Sequence, residues 1–352
     1  MTARPRLPAV RPRAGRFCRS RRVHPPFVGL RCTESWGVDP LSDVLRAVRL
    51  SGAHFFHTSA SGAWGVEAAR ASELTPSVLP GSQHLISYHV VMSGHCWGGI
   101  EGQPPLRLEA GDVILFPHGD AHRMQSGPEP ESELVPVQNV PRFPNASVFG
   151  EARDPPQVTL VCGFLGCDRV PFNPLCASLP RQLCMRGLSE GAVGLFARQV
   201  LEETRAGRAG ADSMLTRLAE LMFIELLRRY LDALPEGGEG WLAGVRDPLV
   251  GRALTQIHAR PAHAWTLPAL AQAASCSRSV LAERFAALVG LPPMQYLAHW
   301  RMQLAAARLR ESSAKVATVA LEVGYESEAA FSRAFKKATG SAPARWRARA
   351  ES

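Results

Sequence analysis

The chain has 352 residues, of which 46% are hydrophobic and 20% charged, and its formal net charge is +9. That composition excludes disorder throughout and predicts a globular core, and the length points to two or three domains. No run approaches the ~18 consecutive apolar residues of a membrane-crossing helix. Residues 1–38 lack the apolar centre of a signal peptide, which predicts a cytoplasmic protein with no membrane partner.

The charge is unevenly distributed. Residues 1–38 hold nine Arg against Glu34 alone, residues 39–246 carry a net −6, and residues 247–352 a net +7. An acidic middle joined to a basic C-terminal third fits a regulatory module fused to a nucleic-acid binder. The eight cysteines are Cys18, Cys32, Cys96, Cys162, Cys167, Cys176, Cys184 and Cys276. None has CxxC spacing and no Cys/His cluster has zinc-finger spacing, so no metal site is expected, and in a reducing compartment the thiols are expected to be mostly free.

In chain order, residues 1–38 are rich in Arg and Pro without apolar periodicity. They read as a disordered basic extension, or as sequence ahead of a true start near Val38. Asp39–Leu50 predicts a helix with Pro40 at its first position and Leu41, Val44, Leu45 and Val48 on one face. From Ala53 to Pro136 short apolar runs cut by Gly and Pro (Leu85–Met92, Leu106–Leu108, Val113–Phe116) predict a small β-barrel or jelly roll. Leu134–Pro156, with five prolines, reads as a long loop, and Val158–Phe164 as a further strand. Glu190–Thr204 and Asp212–Leu234 have helical spacing. The second is apolar on more than one face, which predicts a dimerisation helix and a homodimer. The Gly- and Pro-bearing segment Leu234–Gly244 reads as a linker.

Beyond Asp247 the pattern is helical nearly throughout. Two helix pairs, Leu267–Ala274 with Ser277–Val289 and Val316–Val323 with Glu328–Thr339, are joined by turns of three or four residues. Each is a possible helix-turn-helix, and between them lies the long helix Pro292–Arg310. At 1.5 Å per residue that spacer is about 28 Å long, close to the ~34 Å between successive major-groove faces. A single chain can therefore read two adjacent grooves of double-stranded DNA.

The residues Leu270-Ala271, Ser277-x3-Leu281-x3-Phe285, Gly290-x2-Pro293-x2-Tyr296 and Arg301-Met302-x2-Ala305 form one motif set. A second comprises Ala320-x3-Gly324-Tyr325-x-Ser327-x3-Phe331-x-Arg333-x-Phe335-Lys336 and Gly340-x2-Pro343-x3-Arg347. Together, over Asp247–Arg349, they resemble the DNA-binding domain of the AraC/XylS family of bacterial transcription regulators. The resemblance implies that Arg278, Ser279, Ala282, Glu283, Glu328, Ala329, Ser332 and Arg333 face bases or phosphates. Arg333 is the candidate for guanine or phosphate, and Lys336, Lys337 and Arg278 for phosphate. Glu283, where relatives carry a basic or amide residue, either accepts from a cytosine amino group or pairs with a nearby Arg.

Gly111-x5-Pro117-x-Gly119-x2-His122 fits the second cupin motif. With Trp64-Gly65-Val66-Glu67, Val161-Cys162-Gly163, Asn173-Pro174-Leu175 and Leu179-Pro180, the region Asp39–Leu234 resembles the cupin-type sensory domain that precedes such DNA-binding domains. The HxH pair of a metal-binding cupin is missing, since His89 and His95 are six apart, and Glu101 is only loosely placed. The resemblance therefore implies a degenerate cupin without metal or cofactor, whose barrel takes a small-molecule effector or only dimerises. The alternative of another class is a metal-dependent cupin enzyme with a helical appendage. The candidate lining is His89, His95, Trp97 and His122. Some relatives of this architecture sense oxidants through thiols, which makes Cys96, Cys162 and Cys167 redox candidates.

The expectation is thus an α+β multidomain, non-enzymatic, DNA-binding transcription regulator acting with RNA polymerase. Its predicted parts are an extension over 1–38, a cupin-like sensory domain over 39–188, a helical dimerisation segment over 189–234, a linker over 235–246 and a double helix-turn-helix domain over 247–352.

Overall fold

The computed structural model describes residues 39–129, 135–137, 146–151, 153–235 and 237–351. The expected extension over 1–38 lies outside them. No helix among the described residues is long and apolar enough to cross a membrane.

The first half holds the helices α1 (Pro40–Ala47), α2 (Ala71–Val78) and α3 (Pro174–Ser178) and the strands β1 (Leu50–Ser61), β2 (Gly65–Ala68), β3 (His84–Ser93), β4 (His95–Ile100), β5 (Leu106–Glu109), β6 (Val113–Phe116), β7 (His122–Gln125), β8 (Val135–Val137), β9 (Ala146–Gly150), β10 (Val158–Cys167) and β11 (Leu183–Met185). Two sheets result, ordered β11-β6-β3-β10-β1-β9 and β5-β4-β7-β2-β8. The stretch expected as a loop, Leu134–Pro156, contains β8 and β9. These short strands pair in parallel with β2 and β1 and are too brief to show an alternating pattern.

Strand β10 is buried along all ten residues because both faces of its sheet are covered. Val158, Leu160, Cys162 and Phe164 point between the two sheets, while Val161, Leu165 and Cys167 point to the helices behind. Such a strand reads as a continuous apolar run rather than an alternation.

Behind the six-stranded sheet lie α4 (Ala192–Ala206) and α5 (Ala211–Ala233). The segment expected as a linker includes a helix, α6 (Trp241–Arg246), whose Trp241 is 2% exposed. The Arg246 guanidinium donates to the carbonyls of Leu231 (2.9 Å) and Leu234 (2.7 Å), tying α6 to the end of α5.

Then follow α7 (Val250–Ala259), α8 (Leu267–Ala273), α9 (Arg278–Val289), α10 (Pro293–Glu311), α11 (Val316–Glu322), α12 (Glu328–Thr339) and α13 (Pro343–Glu351). The two helix-turn-helix units repeat with an offset of fifty residues. Ser277 and Ser327 cap α9 and α12, accepting from the N–H of Val280 (3.3 Å) and Ala330 (3.4 Å). Gly290 and Gly340 close the two helices in the left-handed region. Gly324 is the expected stop before the second turn, with φ +85° and no room for a Cβ, which would lie 2.7 Å from the Ala262 carbonyl oxygen.

The cores divide unequally. One continuous cluster runs from Leu41 and Val44 of α1 through the back of the six-stranded sheet and α4–α6 to Leu281, Phe285 and Trp300 of the first unit. The second unit has its own cluster, from Met302 to Trp346. The first unit is therefore packed as part of the N-terminal half.

Candidate nucleic-acid interface and sensory cluster

In each unit two apolar side chains face inward, Leu281 and Phe285 on α9, Phe331 and Phe335 on α12, all buried. An edge-on aromatic contact recurs at the same offset, Phe285–Tyr296 at 5.7 Å and Phe335–Trp346 at 5.8 Å. The opposite faces are left open. Arg278, Ser279, Glu283, Glu328, Ala329, Arg333, Lys336 and Lys337 are exposed, and Ala282 and Ser332 half-buried.

The two faces differ in charge. On α9, Arg278 is offset by Glu283, and Arg284 is held by Asp247 (Nε–Oδ2, 2.7 Å), so Glu283 does not take that arginine. On α12, Arg333, Lys336 and Lys337 outnumber Glu328, and the two lysines also suit the negative helix end. Val280, 44% exposed on α9, is an apolar group on this open face that the sequence reading passed over.

Between the sheets, β1, β3, β7 and β10 bring together Thr58, His89, His122 and Cys162. His89 Nε2 lies 2.8 Å from His122 Nε2, His89 Nδ1 lies 2.9 Å from Cys162 Sγ, and His122 Nδ1 lies 3.0 Å from the Asp120 carbonyl oxygen. A carbonyl only accepts, so His122 carries its proton on Nδ1 and accepts at Nε2. His89 then donates from Nε2 and accepts the Cys162 thiol proton at Nδ1. Thr58 Oγ1 stands 3.9 Å from the sulfur, and the Phe116 ring stacks on His122 at 3.9 Å.

Burial keeps this chain of groups neutral. It depresses His89 well below the usual histidine value and His122 to about 4. It raises the Cys162 thiol and pushes Cys96 up to about 12. The imidazole nitrogens are all engaged, with each other, with Cys162 and with the Asp120 carbonyl, and among the described residues no three potential metal ligands converge. Glu101 instead accepts from Arg123 (3.0 Å) at the surface.

The other lining candidates do not join the cluster. His95 is exposed and Trp97 half-buried on β4, in the second sheet. Cys96 between them points inward, so pleat parity sends both neighbours outward. The redox candidates are divided in the same way. Cys96 and Cys162 lie between the sheets, whereas Cys167, an odd five residues from Cys162, faces the helices beside Cys176.

The junction of the two halves is polar at its centre. Gln303 of α10, fully buried, donates to the Ala47 carbonyl (2.7 Å) and accepts from the Phe172 N–H (3.1 Å). Arg310 pairs with Asp168, both side chains less than a tenth exposed. Burial still leaves the Asp168 carboxyl above its usual range, although Arg310 and Arg49 pull it down. The Tyr296 hydroxyl accepts from Trp241 Nε1 (2.8 Å) and donates to His258 Nε2 (2.9 Å). The His258 Nδ1 proton faces Asp43 at 3.6 Å, too far for a hydrogen bond. Of these junction residues the sequence reading singled out only Tyr296, as a motif residue of the helix-turn-helix half and not as part of a junction. The available signals were a tryptophan inside a Gly-rich linker and a glutamine among the apolar positions of α10.

Comparison with known proteins gives two family matches, one described as Cupin over residues 39–232 and one as Helix-turn-helix domain over 270–349. A Streptomyces antibioticus protein described as an AraC-like transcription regulator is 32% identical over 314 residues, 88% of this chain and 98% of its own. The transcriptional regulator AlkR of Acinetobacter baylyi is 25% identical, covering 88% of this chain and 99% of its own. A crystal structure of the DNA-binding domain of AdpA in complex with a target DNA is 31% identical over 29% of this chain and 91% of that one, with a TM-score of 0.28.

Proposed function

The chain belongs to the AraC family of DNA-binding transcription regulators with a cupin ligand-binding half, and on that premise we propose how its parts divide the work. The sensory domain spans 39–188, the dimerisation segment 189–234, the joint 235–246 and the reader 247–352. The protein is a cytoplasmic homodimer without enzymatic activity. It binds an effector at the barrel and, once on DNA, acts through RNA polymerase.

One observation carries this reading: the same capped helix, with the same inward pair and an open outer face, occurs twice, fifty residues apart, on either side of a 19-residue helix. Arg333 is assigned to a base or phosphate, Arg278, Lys336 and Lys337 to phosphates, and Ser279, Ala282, Glu283, Glu328, Ala329 and Ser332 to the groove-facing rows. With its arginine neighbour already paired, Glu283 is assigned to accept from a cytosine amino group.

The effector is assigned to the His89–His122–Cys162 cluster. Strand β10 carries Cys162 on its barrel face and runs directly into Asp168, the partner of Arg310. A ligand that displaces the cluster therefore acts on the junction through one strand. It shifts the docking equilibrium only by its preference between docked and released arrangements, about 1.4 kcal/mol for a tenfold preference.

The test is equilibrium binding of the full-length protein to DNA flanking its own gene, over a range of salt. Cations that displace counterions give affinity falling linearly with salt on a logarithmic plot, with a slope near −0.9 per phosphate contact. Replacing Lys336 and Lys337 by Ala flattens that slope by about two contacts. Binding that ignores salt, or an unchanged slope in the double variant, contradicts the assignment.

A further inference from the structure

Cys167 ends β10 and Cys176 is the third residue of α3, and their sulfurs lie 4.0 Å apart. The eight residues between them form a closed loop. Asn173 ties it, donating from Nδ2 to the Asp168 carbonyl (2.7 Å) and accepting at Oδ1 from the Cys176 N–H (3.0 Å). The same loop touches helix α10 at three points: Asp168 pairs with Arg310, the Phe172 N–H donates to Gln303, and the Phe172 ring packs on Tyr296 (5.4 Å) and His299 (5.3 Å).

We propose that Cys167 and Cys176 are a modification site, a dithiol that a peroxide oxidises to a disulfide, and that the helix-turn-helix half senses this oxidation through the loop they close. The inference rests on the regulator reading above and adds to it a second input, separate from the barrel cluster.

The two sulfurs have different roles. The contact with Cys167, then nearby Arg169 and the Asn173 contact, hold Cys176 below the usual thiol value; the same contact, and burial, hold Cys167 well above it. Cys176, 7% exposed against 1% for Cys167, is the sulfur a peroxide reaches first and so the attacking one in the proposed reaction. It also lies in a single-turn helix that opens without breaking a sheet, whereas Cys162 is enclosed between two sheets.

In the first step the Cys176 sulfur attacks one oxygen of hydrogen peroxide. The O–O bond breaks, Cys176 becomes a sulfenic acid, and the other oxygen leaves as water with the proton that Cys176 gave up. In the second, the Cys167 sulfur attacks that of Cys176. The S–S bond forms, the S–O bond breaks, and the oxygen leaves as a second water with the Cys167 proton. Two thiols lose two electrons and one peroxide gains them.

A disulfide needs the sulfurs at about 2.05 Å, roughly 2 Å closer than they stand. In the proposed switch this closure draws in both ends of the loop, and Asp168 and Phe172 move with them. In a close-packed junction a shift of that size breaks the Gln303 and Arg310 contacts rather than stretching them.

The test treats the full-length protein with a few equivalents of hydrogen peroxide, blocks the remaining thiols and maps the cysteines by mass spectrometry. The expected result is a Cys167–Cys176 cross-link, two hydrogens lighter and reversed by dithiothreitol, formed ahead of oxidation at Cys96, Cys162, Cys184 and Cys276. The affinity for DNA flanking the gene should change at least threefold on oxidation. C176S and C167S should bind as the reduced protein does, before and after peroxide. Two thiols that stay alkylatable, or another pair that links first, overturn the modification site without need of a variant. A cross-link that leaves the affinity unchanged overturns the coupling to the reader. Reduced protein that does not bind DNA contradicts the regulator reading itself, while the cross-link result still decides the modification site.

Discussion

Gln303, on the helix between the two DNA-reading units, donates to the carbonyl of Ala47, 256 residues earlier at the end of the first helix. A fully buried amide bonded on both sides joins three segments: α1, the loop after β10 and α10. Gln303→Leu keeps the volume but leaves the Ala47 carbonyl and the Phe172 N–H without partners. At about 1–3 kcal/mol for each of the two buried unsatisfied groups, the variant should lose roughly 2–6 kcal/mol of stability in chemical denaturation. A loss below about 0.5 kcal/mol would mean that the junction opens readily in solution.

The buried histidines set a pH dependence of known sign. His89, His122 and His258 are all depressed, with burial the first cause in each. A depressed base is neutral in the folded chain while the unfolded chain still binds a proton, so stability falls as pH drops below the unfolded value near 6.5. For His122, lowered to about 4, the loss between pH 6.5 and 4 is about 3 kcal/mol. Asp120, which Arg181 holds below the usual carboxylate range, loses its contribution only below about pH 4, outside that window. Denaturation midpoints from pH 7 to 4.5 should fall steadily, and His122→Gln should flatten the curve. A flat wild-type curve refutes the neutral histidine chain.

Leu195, Met214 and Leu221 are large apolar residues exposed on α4 and α5, each at about half of full exposure or more. Burying them against a second copy is the proposed dimer contact. Leu221→Asp puts a charge where the partner would pack. Sedimentation at micromolar concentration should turn a dimer into a monomer, with the melting temperature of the fold little changed. A dimer that survives the substitution places the contact elsewhere.

How much of this the sequence discloses depends on the range of the interaction. Ser277, Ser327, Gly290 and Gly340 mark both recognition helices because capping is local, and the helix limits there were legible to within a residue or so. Strand β10 was legible as a strand. Its two faces were not, because both are buried and no polar residue marks either. Parity along β4 separates His95 and Trp97 from Cys96, but only once the strand and its inward residue are known. Gln303, Asp168 and Trp241 find partners across 256, 142 and 55 residues, and no periodicity reports such pairings. The cysteines show both cases. The odd spacing of Cys162 and Cys167 sets them on opposite faces, whereas the approach of Cys176 to Cys167 depends on how the following loop closes.

The central claim, that one chain reads two successive grooves with α9 and α12, is tested most directly by hydroxyl-radical footprinting of the full-length protein on DNA flanking its own gene. The account predicts two protected patches per chain on one side of the duplex, about ten base pairs apart. Arg333→Ala should weaken binding by about 1–3 kcal/mol and fade one patch while leaving the other. A single protected patch, or a wild-type pattern retained by Arg333→Ala at undiminished affinity, would contradict it.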